Sequence, residues 1–199
     1  MAATAMSSSP ALVPSAPLPE SSSDIVVRPF RPNDMAQVIE LFKEGMPVKG
    51  SDPVMDEYIV TSLETDLSDI DGTYIKPGGN FWIATPRDDP TLVVGTVGLE
   101  AKSKHEGRVR RLSVKSTHHR RGIGRLLIST LEHWAVGHQI DQLWLTTGDF
   151  MDKARGFYRS AGYTETDVII VRDEPRLARI KIEKRLHVSS HGRTCPRTA

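Results

Sequence analysis

Positions 119–125, which read His119, Arg120, Arg121, Gly122, Ile123, Gly124 and Arg125, combine closely spaced glycines with clustered positive charge. They follow the strand-like run Leu112, Ser113 and Val114 and precede Leu126 and Leu127, which belong to an amphipathic stretch. Glycines at a strand-to-helix turn let the backbone come close to a ligand, and the free N–H groups of a helix's first turn point at it. That combination suits a diphosphate. Arginines at a helix N-terminus oppose the helix dipole. A bound anion would relieve that conflict, so the charge reads as functional.

The chain has 199 residues, with 26 Lys and Arg against 25 Asp and Glu, for a formal net charge of +1. The balance is only an average. The segment 102–125 carries nine basic residues and one acid, Glu106, whereas 33–71 carries ten acids and two lysines. Two electrically distinct regions can face different ligands. A nucleic-acid patch is disfavoured, because no Phe, Tyr or Trp lies between Ala101 and Arg125 to stack on bases. His118 and His119 have no second pair at ligand spacing, so no metal site is expected. The single cysteine, Cys195, leaves no internal disulfide and points to a reducing compartment, read as cytoplasmic with a nucleus or organelle as alternatives. The longest apolar stretch, 91–99, is far short of the ~20 residues of a membrane-spanning helix, so a soluble protein is expected.

Periodicity gives the elements that must hold these residues in place. Positions 24–30 read as a strand bounded by Pro29 and Pro32, and Asp34 stands where an N-cap would, ahead of Val38, Ile39, Leu41 and Phe42. Gly45 and Pro47 close that helix, and a second is expected over 53–67 on Val54, Tyr58, Ile59 and Leu63. Strands follow at 81–85, 92–101 and 109–114, the last after a turn at Gly107. A helix over 122–136 buries Ile123, Leu126, Leu127, Thr130, Leu131, Trp134 and Ala135, ending at Gly137. A strand at 143–146, a helix over 152–161 stopped by Gly162, and strands at 168–171 and 179–186 complete the chain. The order β-α-α-β-β-β-α-β-α-β-β implies an α/β fold, with a mixed, mostly antiparallel β-sheet and helices on both faces. One domain is expected over 24–188. The segment 1–23, with four prolines, seven serines and five alanines, and the polar segment 189–199 read as flexible tails.

Leu112-Ser113-Val114, a basic residue five positions on, Gly122-Ile123-Gly124 and Leu126-Leu127 together resemble the acetyl-coenzyme A signature of GNAT-type N-acetyltransferases. Ala154, Phe157, Tyr158, Gly162 and Tyr163 resemble the second motif of that superfamily, in the expected order and separation, and the element order agrees over 25–186. The Leu112-Ser113-Val114 strand and the opening Arg28-Pro29 are similar to the camello-like branch. That branch carries a hydrophobic membrane segment not visible here, so its substrates are not carried over.

The resemblance implies acetyl-CoA as acyl donor, with no metal, and an N-acetyltransferase that acts on a primary amine through a tetrahedral intermediate. Backbone groups of Leu112 and Val114, with Ser113 between them, would pair with the pantetheine arm. The N–H groups of Arg120, Arg121, Gly122, Ile123, Gly124 and Arg125 would hold the diphosphate. Tyr158, with a phenol pKa of about 10, would protonate the departing thiolate, and a backbone N–H at a strand bulge would stabilise the oxyanion.

Two departures stand out. His119 occupies a position usually filled by glutamine or arginine, a phosphate contact that Arg120 could replace. Arg108 occupies a position where many members carry a carboxylate, which leaves Glu106, Glu100 or water as the base. The first two helices border the acceptor entrance in such folds, so their acids suggest a cationic acceptor: a small amine, a polyamine, or the lysine of a basic peptide. Monomer and homodimer both remain open. The alternative is a catalytically weak acyl-CoA-binding regulatory module, which the arginine at position 108 favours.

Overall fold

The computed structural model describes residues 24–46, 52–174 and 176–187. The expected tails, 1–23 and 189–199, lie outside the described residues, as do Pro47 and Cys195.

Among the described residues, seven strands and four α-helices follow in the order β1 (Ile25–Pro29), α1 (Met35–Glu44), α2 (Pro53–Glu64), β2 (Asn80–Pro86), β3 (Gly95–Ala101), β4 (Glu106–Val114), α3 (Ile123–Gly137), β5 (Gln142–Gly148), α4 (Asp152–Ser160), β6 (Thr164–Arg172) and β7 (Leu177–Arg185). The strands form one sheet in the order β1-β2-β3-β4-β5-β7-β6. Every neighbouring pair is antiparallel except β4 and β5. A parallel neighbour needs a crossover long enough to return the chain to the same edge, and α3 supplies it.

The sheet divides the core in two. On one face, α3 contributes Ile123, Leu127, Ile128, Leu131 and Ala135, and α4 contributes Tyr158, packed on Val97, Leu99, Val109, Leu143, Leu145, Ile180 and Ile182. On the other, Val38, Leu41 and Phe42 of α1 pack with Leu67, Ile70, Tyr74, Phe81 and Ile83. The unbroken run in β2 follows from this sandwich, since Trp82 and Ala84 face one layer while Phe81 and Ile83 face the other. No helix of the described residues is long and apolar enough to cross a membrane.

Several local expectations change. Asp34 does not cap α1 with its side chain. It turns back to accept hydrogen bonds from both Arg28 Nη atoms at 2.7 and 2.8 Å and from the Arg31 N–H at 2.8 Å. Helix α2 stops at Glu64, because the following residues give Leu67 and Ile70 to the core and then form a π-helical turn at Asp71–Ile75. Gly107 lies inside β4, opposite Ala101 and Leu143, and not in a turn. A Cβ there would come within 2.6 Å of Leu99 Cδ1, so close packing requires the glycine.

Candidate active site

Strands β4 and β5 pair only through Glu106 with Gln142, Gly107 with Leu143, and Arg108 with Trp144. Beyond that point they diverge. The gap is a cleft of about 210 Å³, lined by residues 108–113 of β4, 145–148 of β5, Ala154 and Tyr158 of α4, and Tyr58 of α2. Past Arg108, β4 is paired on its β3 side alone among the described strands, so the backbone on its other side faces the cleft. The strand is also bulged there. Thr96 pairs with Ser113 and Gly98 with Arg110, so the single residue Val97 lies opposite both Arg111 and Leu112. Arg111 sits at φ 56, in the left-handed region.

Beyond Ser113, the last residue of β4 that lines the cleft, the chain runs through Val114 to the N-terminus of α3. Gly122 at φ 76 turns the chain into the helix, and no side chain caps it. The first intrahelical bond runs from Leu126 N–H to the Gly122 carbonyl at 3.0 Å, which leaves the N–H groups of Ile123, Gly124 and Arg125 as free first-turn donors. A Cβ on Gly124 would lie 3.4 Å from the Phe157 ring and 3.9 Å from Val114 Cγ2, so it would fill the space between α3, α4 and the end of β4. A diphosphate fits this backbone cradle. Arg120 and Arg121 are exposed beside it. Arg125 turns away and donates to the Ser160 carbonyl at 3.2 Å and Oγ at 3.0 Å. His119 Nε2 lies 2.8 Å from the Val114 carbonyl, so its ring ties the loop back to β4.

Tyr158 is 7% exposed and its side chain lines the cleft. Burial pushes its phenol well above the usual value, so it keeps its proton through neutral and mildly alkaline pH. Leu112 and Ser113 line the cleft as well, with Val114 just beyond them. Glu100 and Glu106 do not line it. Glu100 faces three cations: Lys102, Arg110 at 3.6 Å and Arg108 at 4.0 Å. Glu106 sits at the paired end of β4, opposite Gln142.

The charged residues in the described lining are all arginines: Arg108, Arg110, Arg111 and Arg179. None of the ten acids of 33–71 lines the cleft, and five of them are engaged elsewhere. Asp34 pairs with Arg28, Asp52 with Arg172 at 2.6 Å, Asp71 with Lys76 at 2.9 Å, and Glu44 accepts from the Ser116 N–H at 3.0 Å. Asp66, 2% exposed, is bound to Arg110, Arg111 and the Tyr74 hydroxyl. Burial works against its charge, but the Arg111 hydrogen bonds and charge, aided by Tyr74 and Arg110, hold the carboxyl below the usual carboxylate range. Arg108 lies 5.0 Å from the Trp144 ring, and burial, with Arg110 close by, lowers its pKa. Arg179 lies 5.6 Å from the Tyr58 ring. Sequence reasoning singled out none of Asp66, Arg111 or Arg179. The run of basic residues on β4 was visible, but which of them face a cleft depends on the bulge.

A splayed parallel pair inside an otherwise antiparallel sheet, with a glycine cradle on the helix between the two strands, offers an extended ligand a free strand edge and its diphosphate a set of helix N–H donors. The profile of the acetyltransferase (GNAT) family matches residues 35–163, and the chain belongs to that family. A GNAT family acetyltransferase structure from Elizabethkingia anophelis, which shares the fold with a TM-score of 0.53 at 14% identity, has acetyl-CoA bound. The chain is 33% identical over 124 residues to probable N-acetyltransferase family 8 member 5 of Mus musculus, covering 57% of this chain and 53% of the relative. It is 27% identical over 156 residues to an N-acetylaspartate synthetase of Xenopus tropicalis, covering 78% and 57%. The chain thus spans about half the length of the curated relatives it matches. A GNAT acetyltransferase structure from Staphylococcus aureus Mu50 shares the fold, with a TM-score of 0.66 at 21% identity over 82% of this chain and 99% of that one.

Proposed function

We propose that this chain transfers an acetyl group from acetyl-CoA to a small primary amine that also carries a carboxylate. The observation that supports the acceptor class is the cleft lining, in which the described charged side chains are four arginines and no acid. A polyamine or a lysine-rich peptide would meet like charge there, whereas a carboxylate finds Arg179, which stands over the Tyr58 ring, and Arg108, whose carboxylate neighbour Glu100 is 4.0 Å away. The name of the N-acetylaspartate synthetase relative describes an acceptor of this class.

In this reading the first-turn N–H groups of Ile123, Gly124 and Arg125 hold the diphosphate, and the backbone of Leu112 with the Val114 N–H orients the pantetheine arm. Acetyl-CoA supplies an activated thioester. The acceptor's ammonium first loses a proton to water in the open cleft, since Glu100 and Glu106 do not line it. The amine nitrogen then forms the new N–C bond and the C–S bond breaks. Tyr158 gives its proton to the departing sulfur and is reprotonated, through water, by the proton that the nitrogen sheds.

The test is acetylation read by free-thiol release across amino acids that include aspartate, polyamines and lysine peptides. Carboxylate-bearing amines should be preferred, and Arg179→Gln should raise their KM about tenfold, the cost of one charge-assisted contact, without changing the KM for acetyl-CoA. Preference for polyamines or basic peptides would overturn the acceptor class. Binding of acetyl-CoA with no transfer to any amine would favour the regulatory-module alternative.

A further inference from the structure

Among the described residues, Arg111 is the one in the middle of a strand that the fold holds in the left-handed region, and it sits there without the conformational freedom of glycine. A non-glycine residue at positive φ persists only where its surroundings hold it, and such strain collects at functional sites. Here the surroundings are unusually complete. The Arg111 side chain is 4% exposed. Its Nε donates to Asp66 Oδ2 at 2.7 Å, its Nη2 donates to the other carboxylate oxygen, and its Nη1 donates to the Tyr58 hydroxyl at 3.1 Å. The Phe42 ring of α1 lies 4.6 Å away and the Tyr58 ring of α2 5.6 Å. On the backbone side, the Arg111 carbonyl accepts from the buried Thr96 hydroxyl at 2.7 Å. Asp66 is the hub, because it also accepts from Tyr74 and from Arg110 at 3.1 Å.

We propose that Asp66 is a positioning residue: by gripping the Arg111 guanidinium, it keeps the bulge of β4 in the shape that aims the backbone at positions 111 and 112 into the cleft. The proposal rests on the reading of that cleft as the site of acetyl transfer. Asp66 is not the base. Its carboxylate is held ionised below the usual range, with both oxygens occupied by donors. Its contribution is geometric and reaches the reacting atoms through Arg111. The same contacts tie α1 and α2, the helices on the acceptor side, to the strand that would hold the donor.

The decisive comparison is among variants at two positions. Asp66→Asn removes the charge and one acceptor, Asp66→Glu restores the charge at a longer reach, Arg111→Gly tolerates φ 56 without the guanidinium, and Arg111→Ala does not. With the folded fraction of each variant measured by circular dichroism, Asp66→Asn should lose about 10- to 100-fold in kcat while the KM of both substrates stays within about threefold, as expected for misplaced catalytic groups. Asp66→Glu should recover part of the loss. Arg111→Gly should retain clearly more kcat than Arg111→Ala, because the bulge survives in the first and is strained in the second. In a crystal structure of Asp66→Asn, residue 111 should leave the left-handed region.

An unchanged kcat in folded Asp66→Asn, or equal kcat in the two Arg111 variants, would show that the network only packs the core and would overturn the proposal. A rise confined to acceptor KM would overturn it too, since it would make Arg111 a substrate contact. If the wild-type chain bound no acetyl-CoA and acetylated nothing, the reading of the cleft would fail. The crystallographic comparison at residue 111 would still judge the link between Asp66 and the bulge.

Discussion

The glycine cradle at the start of α3 makes opposite stability predictions for two glycines separated by one residue. At Gly124 the backbone is helical, and an added Cβ would meet the Phe157 ring at 3.4 Å and Val114 Cγ2 at 3.9 Å, which is ordinary contact. Gly124→Ala should therefore stabilise the ligand-free protein by about 0.5 kcal/mol, the low end of the helical Gly-to-Ala gain because the site is in the first turn. At Gly122 an added Cβ would find nothing within 4 Å, but φ is +76. Gly122→Ala should cost about 1–2 kcal/mol from conformation alone. For a chain of this size, each kcal/mol moves Tm by about 2–4 °C, so thermal unfolding resolves the two signs. Acetyl-CoA at 100 times its Kd should add about 2.7 kcal/mol, or roughly 5–11 °C, to the wild type. Gly124→Leu has no room toward Phe157, so its side chain must occupy the cradle, and the acetyl-CoA shift should vanish while the fold persists. A full ligand-induced shift in Gly124→Leu would refute the placement of the diphosphate, and a Gly122→Ala variant as stable as wild type would refute the left-handed turn.

Two further outcomes follow from the buried groups. Tyr158→Phe should lower kcat by about 10²–10⁴-fold with the KM for acetyl-CoA unchanged, the usual worth of a general acid; because burial raises the phenol's pKa, the wild-type kcat should show no alkaline loss from this group below about pH 10. Asp66 has a folded-state pKa below its unfolded value of about 3.9, so its stabilisation is complete above that pH and is lost as pH falls through the folded pKa. Urea midpoints measured from about pH 6 down to about pH 2 should therefore fall less steeply in Asp66→Asn than in the wild type, and parallel curves would contradict the ion pair.

Much of the architecture was legible in residue spacing. Leu127 and Leu131 with Ala135 gave the buried stripe of α3, Gly162 at φ 85 gave the stop after α4, and the alternation of elements gave the mixed sheet. Boundaries slipped where a side chain found a distant partner. Asp34 had the sequence context of a cap, but Arg28 on β1 offered a charged, half-buried partner, and a charge-assisted pair outcompetes a lone cap bond. Gly107 resembled a turn because its neighbours are polar, whereas the steric reason for it, Leu99 across the strand pair, is invisible along the chain. The acid-rich segment 33–71 suggested a surface for cations, yet Asp34, Asp52, Asp66 and Asp71 each meet an arginine or lysine in the fold.

The sequence by itself determined the elements, their order and the glycine-rich helix start, because these depend on backbone preferences and on periodicities set within a few residues. Tertiary structure decided which charges are free. A charge matters to a ligand only if it is unpaired and faces the cleft, and pairing joins residues far apart in sequence, as Asp66 and Arg111 are. The same packing chose Arg111 for a backbone conformation that its side-chain type disfavours, since Asp66, Tyr58 and Phe42 converge on it from three separate segments.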